Sequence, residues 1–361
     1  DNNNLRETIM ARNQRIFYAC QAVAIVGRGE TPTAASVVKG LQSVGMSSTF
    51  TLDQVFEMGQ IEIYENIEEV ADIEVTLEKA IDGNKLIYNL ASNGKCKTDV
   101  VAATKERCDV YVGIFDDGLS HATGVPRSVC FNSGMYTSSV AYNYSIDGTA
   151  TESVTLVGNE RFWNGIAAKR GASNAPQSIT PTGNWRANEG SLAHTSITAA
   201  FDGTDTAPSG VVRRTDVDIA RSTLPGIVRS QGGDDSSTEA GNSDNLHIQS
   251  ISVSTDFGQE NIQELGRFGP YHRYATFPVE VTCDFEIIST SGSLINISGA
   301  HPNLGNHEIR IVDDAGSDIY LGTKNKLSSV SYSGGDTGGG NATVSYSFSN
   351  FNVLTVHDST A

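Results

Sequence analysis

The sequence predicts an all-β protein: a β-sandwich or barrel-like fold with a few short helices and long inserted loops. Three observations carry this expectation. Several segments alternate apolar and polar residues with the period of two that a half-buried strand requires. They include Ile61-Glu62-Ile63-Tyr64-Glu65, Ile73-Glu74-Val75-Thr76-Leu77-Glu78 and Val279-Glu280-Val281-Thr282-Cys283-Asp284-Phe285-Glu286-Ile287. Glycine is plentiful, 36 residues against 9 prolines, which suits short strands joined by many turns. Turn signals such as Asp147-Gly148 separate the alternating runs.

Taken in order, residues 1–14 are polar, with an asparagine run at Asn2–Asn4, and read as a flexible arm ahead of one β domain over 15–361. Ile16 to Val26 reads as a first strand, closed by the Gly27-Arg28-Gly29 turn, and 34–45 as a short helix or loop. The runs at 61–65 and 73–78 read as a hairpin about Asn66 to Val70. That register sets Ile63 opposite Ile73 and Glu62 opposite Glu74, giving one apolar face and one acidic face. Like charges directly opposite on a sheet are destabilising, so a sequence that tolerates them either leaves that face as a plain solvated outer surface or uses it.

Residues 86–91, 108–115 and 129–157 read as further strands, the last containing the Asp147-Gly148 turn. Between 164 and 212 the chain is rich in Ala, Gly, Ser, Thr and Pro and poor in large apolar residues, as expected of an inserted loop or decoration. Residues 230–244 read as an exposed loop. Alternation resumes at Ile251 to Phe257, a short helix is expected at Glu260 to Leu265, and the strand 279–287 follows. Strands are also expected at 308–312, 327–332 and 342–348, the last two joined by the glycine-rich run 334–340. No internal repeat of fixed period is visible.

Charge and motif content narrow the function. The net charge is −17, with no Lys/Arg cluster able to neutralise a row of phosphates, which argues against tight nucleic-acid binding. No stretch approaches the roughly 20 apolar residues of a membrane helix, and no secretory leader is expected. The five cysteines, Cys20, Cys96, Cys108, Cys130 and Cys283, show no metal-ligand spacing and read as free, partly buried thiols. Gly27-Arg28-Gly29 lacks the third glycine of a dinucleotide loop. His301 and His307 have no third ligand nearby, and Asp313, Asp314 and Asp318 fit a turn better than a calcium loop. No catalytic, cofactor-binding or metal site is expected, and no enzyme.

Two stretches resemble the tail tube proteins of tailed bacteriophages. The first carries Met58-Gly59-Gln60-Ile61-Glu62-Ile63-Tyr64 and Asp72 to Lys79. The second carries Glu264-Leu265-Gly266-Arg267-Phe268-Gly269-Pro270-Tyr271, Arg273-Tyr274 and Phe277 to Thr282, with Leu321 to Leu327 and Asn350 to Leu354 beyond it. The resemblance implies a subunit of hexameric rings that stack into a hollow tube, each subunit giving two hairpins to a shared inner barrel. An arm and a long loop reach the next ring, and DNA passes through the lumen. Six subunits of four strands make about 24 strands. At about 4.8 Å spacing and roughly 45° tilt, the backbone barrel is about 50 Å across and about 40 Å clear, wide enough for a duplex.

A wall that bound phosphates would stall that duplex, whereas an acidic wall keeps it centred. On this reading Glu62, Glu74, Glu78, Glu280, Asp284 and Glu286 form an acidic lumen face. The implied partners are further copies of the chain, tail sheath, tail terminator and baseplate proteins, and transiting DNA without tight binding. The implied location is the virion tail, assembled in the host cytoplasm. The competing reading is a tail-tip or receptor- or carbohydrate-binding β-sandwich module, for which Trp163 and Trp185 are the available stacking surfaces.

Overall fold

The computed structural model describes residues 16–115, 126, 128–165, 210–218, 224–225, 228, 247–266, 269–289, 305–335 and 340–358. Their strands, in chain order, are β1 (Gln21–Gly27), β2 (Leu41–Thr49), β3 (Leu52–Phe56), β4 (Ile63–Glu68), β5 (Asp72–Ala80), β6 (Cys108–Ile114), β7 (Ser128–Ser145), β8 (Thr151–Gly158), β9 (Glu160–Gly165) and β10 (Val217–Asp218). After these come β11 (Ile248–Asp256), β12 (Gln259–Ile262), β13 (His272–Ala275), β14 (Glu280–Ile288), β15 (Arg310–Asp313), β16 (Asp318–Tyr320), β17 (Lys326–Ser333), β18 (Thr343–Phe351) and β19 (Thr355–His357). Two short helices, α1 (Ile87–Ala91) and α2 (Val100–Lys105), lie between β5 and β6. The arm 1–14 and most of the segment 164–212 fall outside the described residues, as do the loop 230–244, His301 and Trp185.

The organising element is an antiparallel sheet with eight strands along its main path, in the order β17-β18-β14-β11-β7-β8-β5-β2. Strand β7 is 18 residues long and serves two sheet regions. Its second part pairs with β8 and β11, and its first part pairs with β6 and β9, with β1 beyond β6.

The expected sandwich or barrel-like fold is corrected here: no sheet closes among the described residues. Closure requires hydrogen bonds between the first and last strands. The outer edges of β2 and β17 pair with nothing among the described residues. A second sheet, β10-β15-β16-β19, has strands of only two to four residues, too few to make the facing half of a sandwich.

One face of the main sheet is buried. Val75 and Leu77 of β5, Val154 and Leu156 of β8, Val253 of β11, and Val281, Cys283 and Phe285 of β14 all point to it, and Val344, Tyr346 and Phe348 of β18 continue it. Over them lie Ile87 and Tyr88 of α1, Val100 and Ala103 of α2, and Ile309, Ile311, Ile319 and Val356 around the small sheet. Ring contacts tie the layers together: Tyr88 stacks on Phe257 at 6.0 Å and His307 meets Phe348 edge-on at 5.7 Å.

Two buried charged side chains, Glu152 and Lys79, are held by hydrogen-bond partners. Glu152 is fully buried on β8 and accepts from the backbone amides of Ile87 (2.6 Å) and Tyr88 (3.0 Å) and from the Tyr142 hydroxyl (3.1 Å). It thereby fastens the start of α1, where helical amides have no partner of their own. Buried Lys79 donates to Asp82 at 3.0 Å and to the Lys85 carbonyl at 2.9 Å.

Three local expectations are overturned by pairings distant in sequence. Residues 86–91 form α1 rather than a strand: the run is apolar on nearly every side, so its period says nothing, and Glu152 decides for the helix. The stretch 34–45 becomes a short 3-10 turn at Ala34–Ser36 followed by the edge strand β2. Glu260 to Leu265 is not helical. Gln259–Ile262 is β12, held by β13 in register Glu260 to Tyr274.

Two expectations follow for stability. Leu77→Ala opens a cavity in a fully buried site and should lower the unfolding free energy by about 2–5 kcal/mol in urea titrations. Burial raises the Glu152 carboxyl above its ordinary value, so the native chain holds that proton more tightly than the unfolded chain does. The sign follows: this contribution to stability is present at low pH and is lost as pH rises from about 4.5 through the raised folded value. Over that window the unfolding free energy of the wild type should fall more steeply than that of Glu152→Gln; parallel curves would refute the assignment.

Candidate functional site: an acidic and hydroxyl-rich sheet face

Because side chains alternate along a strand, burying one face of the main sheet commits the other residues to the opposite face. On β5 those residues are Asp72, Glu74, Thr76 and Glu78; on β14 they are Glu280, Thr282, Asp284 and Glu286. Pairing registers place both sets on the same face. Glu78 lies opposite Ser153, Ser153 opposite Ala141, Ala141 opposite Ser254, and Ser254 opposite Thr282. The strands flanking the acidic ones are rich in serine: Ser250, Ser252 and Ser254 on β11, Ser345, Ser347 and Ser349 on β18, and Ser329 and Ser331 on β17.

Thus five of the six expected acidic residues, Glu74, Glu78, Glu280, Asp284 and Glu286, share one face. Glu62 does not. The expected hairpin of 61–65 with 73–78 does not form: β4 pairs with β3, while β5 pairs with β2 and β8. Residues 57–60 make the turn that sequence reading missed. Gly59 sits at φ +96°, and the Gln60 amide donates to the Glu57 carbonyl at 3.2 Å. Glu62 therefore lies beside that turn, on a ribbon outside the sheet, and Glu74 faces Ser47 and Val157 instead.

No cation neutralises these five carboxylates among the described residues. Ion pairs there include Lys79–Asp82, Lys97–Asp358, Arg273–Asp72 and Arg310–Asp318. Four of the five accept instead from hydroxyls. Ser43 donates to Glu78 and Ser250 to Glu286, both at 3.4 Å; Thr76 donates to Glu74 at 3.3 Å, and Ser347 donates to Asp284. Asp72, at one end of the face, is bound by Arg273. The result is a broad, wet, negative surface of short side chains.

Two two-stranded ribbons lie outside the main sheet, and β12–β13 packs back on it through Arg273 and His272. The β3–β4 ribbon pairs only with itself, and Phe50, Leu52, Phe56, Met58, Ile61, Ile63, Tyr64 and Ile67 are all exposed on it. The β12–β13 ribbon and its surroundings expose Ile262, Leu265, Tyr271, Tyr274 and Phe277. A two-stranded ribbon alone is marginal in water, so so much apolar surface on one marks a contact surface.

The other candidates resolve into structural roles. All five cysteines are buried and unpaired with one another. Burial pushes the Cys96 thiol up to about 12 and the Cys130 thiol up to about 11, which leaves both unreactive. Asp313 accepts from the Ser317 amide at 2.9 Å as a turn former, and Asp318 pairs with Arg310. Among the described residues, no group of three or more His, Cys, Asp or Glu could hold a metal. Trp163 is exposed on β9.

No known protein family matches the chain, and no curated protein matches it. Among solved structures it is similar, at low identity and over part of its length, to components of contractile injection systems. It matches a chain of the six-fold symmetrised baseplate of the anti-feeding prophage at 12% identity and a TM-score of 0.31, covering 42% of this chain and 97% of the other. The tube-terminating cap of the same particle gives 12% and 0.31, over 42% and 91%. The sheath-tube complex of an extracellular contractile injection system, PVC, in its extended state gives 12% and 0.33, over 44% and 97%.

Mutual repulsion across the acidic face should be visible in solution. Replacing Glu74, Glu78, Glu280, Asp284 and Glu286 together by their amides should raise the denaturation midpoint at low ionic strength. The gain should shrink toward zero in 1 M salt, where the Debye length falls to about 3 Å. A midpoint that is unchanged or lowered at low salt would contradict the repulsive arrangement.

Proposed function

We propose that the chain is a structural subunit of a bacteriophage tail tube, and that its acidic sheet face lines the lumen through which DNA passes. The observation that carries this reading is a sheet with an apolar packed face, a bare acidic and hydroxyl face, and two open edges. Open edges in an isolated subunit invite pairing with further copies. A face with five unneutralised carboxylates repels the phosphate backbone and gives a moving duplex no place to bind.

On this reading six four-stranded units surround the lumen in each ring, the six-part arrangement that the sequence resemblance implies. The exposed apolar β3–β4 ribbon is the natural element to cross from one ring to the next, burying there what it exposes in the single chain. Sheath, terminator and baseplate proteins would meet the outside and ends of the tube. Its setting is the virion tail, after assembly in the host cytoplasm.

Electron microscopy of concentrated protein tests the reading: hollow tubes with an internal opening of about 40 Å are expected, and monomers at every concentration would refute it. Replacing residues 53–66 by a short Gly-Ser turn should leave rings but remove stacking. Glu74→Lys with Asp284→Lys, carried in particles, should slow DNA ejection at low salt by an order of magnitude or more; unchanged ejection would remove the acidic face from the lumen.

A further inference from the structure

The sheet of this chain is two four-stranded units joined in tandem, although no repeat is visible in the sequence. The path divides into β2-β5-β8-β7 and β11-β14-β18-β17. In each half the first strand pairs antiparallel with the second, the second with the third, and the third with the fourth. Third and fourth strands are sequence neighbours in both, β7 with β8 and β17 with β18. Between its first two strands in sequence each half carries a separate two-stranded ribbon, β3–β4 in one and β12–β13 in the other.

Residue chemistry follows the same division. The second strand of each half carries the acids, Glu74-Val75-Thr76-Leu77-Glu78 in one and Glu280-Val281-Thr282-Cys283-Asp284 in the other. Registers around them agree. Thr76 faces Thr155 on one side and Gly45 on the other; Thr282 faces Ser349 and Ser254. Glu78 faces Ser153 and Ser43; Asp284 faces Ser347 and Ser252. A register shift occurs near the start of each first strand, at Leu41/Ser43 and at Ile248/Ser250.

The junction between the halves is an ordinary antiparallel pairing of β7 with β11, the last strand of one unit with the first of the next. Strand β17 ends the second unit with its outer edge unpaired, and β2 begins the first unit likewise, among the described residues. We propose that β17 of one copy pairs with β2 of a second copy by repeating the β7–β11 junction, and that three copies close the ring, each contributing two of its six quasi-equivalent units. The occupant of the open edge is thus this same chain, because the chain already contains one example of the contact. Strand directions permit it: antiparallel alternation along the path leaves β17 and β2 opposed across the new junction.

The number three rests on the tube reading. Three copies of eight strands give 24, the barrel about 50 Å across that clears a duplex. Two copies give 16 strands, which at the same spacing and tilt leaves about 25 Å between side chains, too tight for a hydrated duplex of roughly 20 Å. Six copies of eight strands would make a pore far wider than transit requires. In the three-copy ring the acid strands β5 and β14 alternate, so six acidic rungs line the lumen.

The internal junction also predicts a register. Ala141 and Asn143 of β7 face Ser254 and Ser252 of β11. By their pairing with β8 and β18, Ala141 corresponds to Ser329 and Asn143 to Ser331. Ser329 of one copy should therefore face Gly45 of the next, and Ser331 should face Ser43. The full chain carrying Ser43→Cys with Ser331→Cys, assembled and mildly oxidised, should give covalent species of two and three chains on non-reducing gels and none larger. Either single variant should give no ladder, since the native thiols are buried.

If the first pair perturbs folding, Gly45→Cys with Ser329→Cys probes the same junction, and end views of wild-type tubes count the chains without any substitution. Tubes whose cysteine pairs do not crosslink would overturn the junction while leaving the tube reading intact. A ladder reaching six chains, or six chains per ring in end views, would overturn the three-copy count alone. Crosslinked rings of three without tubes would support the junction and overturn the tube reading; monomers without crosslinks would overturn both.

Discussion

The structure depends on one constraint: a strand paired in register cannot show a residue to both faces. Once Val75, Leu77, Val281, Cys283 and Phe285 are buried, Glu74, Glu78, Glu280 and Asp284 have only the opposite side available. The core and the acidic surface are therefore not separate features. A slip of one residue in β5 would drive glutamates into the apolar layer, and the cost of desolvating them fixes the register. The same alternation makes the face continuous, because it is carried across eight strands by unbroken pairing.

What covers the buried side is secured by charges placed inside it. Glu152 projects from the sheet to hold the first amides of α1, and Asp358 binds Asn89 of that helix and Lys97 just beyond it. Burial alone would raise the Asp358 carboxyl, but its hydrogen bonds from Asn89 and Lys97 bring it below the usual carboxylate range. These contacts let very short helices lie firmly on the sheet. They leave its other face, its two edges and the ribbons as the surfaces open to assembly.

On the proposed junction, two halves that repeat one strand order, one residue pattern and one intervening ribbon complement each other from copy to copy. Such a contact is heterologous and needs a ring to terminate it. Between the acid strands the face is filled mainly by small hydroxyls, and exposed Lys326 lies at its β17 edge opposite Ser349. In the single chain the acids cost some electrostatic repulsion, which the hydroxyl donors only partly offset.

The sequence by itself determined the β character, the alternating faces of β5 and β14, the strands β6, β7, β8, β11, β17 and β18, and five of the six acidic residues that lie together. These are local properties: a period of two, a turn dipeptide and a charge are all readable within a few residues. Tertiary structure alone decided which strand neighbours which. It paired β4 with β3 through the turn at Gly59, and so removed Glu62 from the face. It made a helix of Ile87–Ala91 through a glutamate 65 residues away from Ile87, and a strand of Gln259–Ile262 through β13. It left the sheet open where closure was expected, and it revealed the tandem halves that divergence of sequence conceals. Pairing is a long-range choice among strands with nearly interchangeable patterns, and one chain's local periodicity holds no record of it.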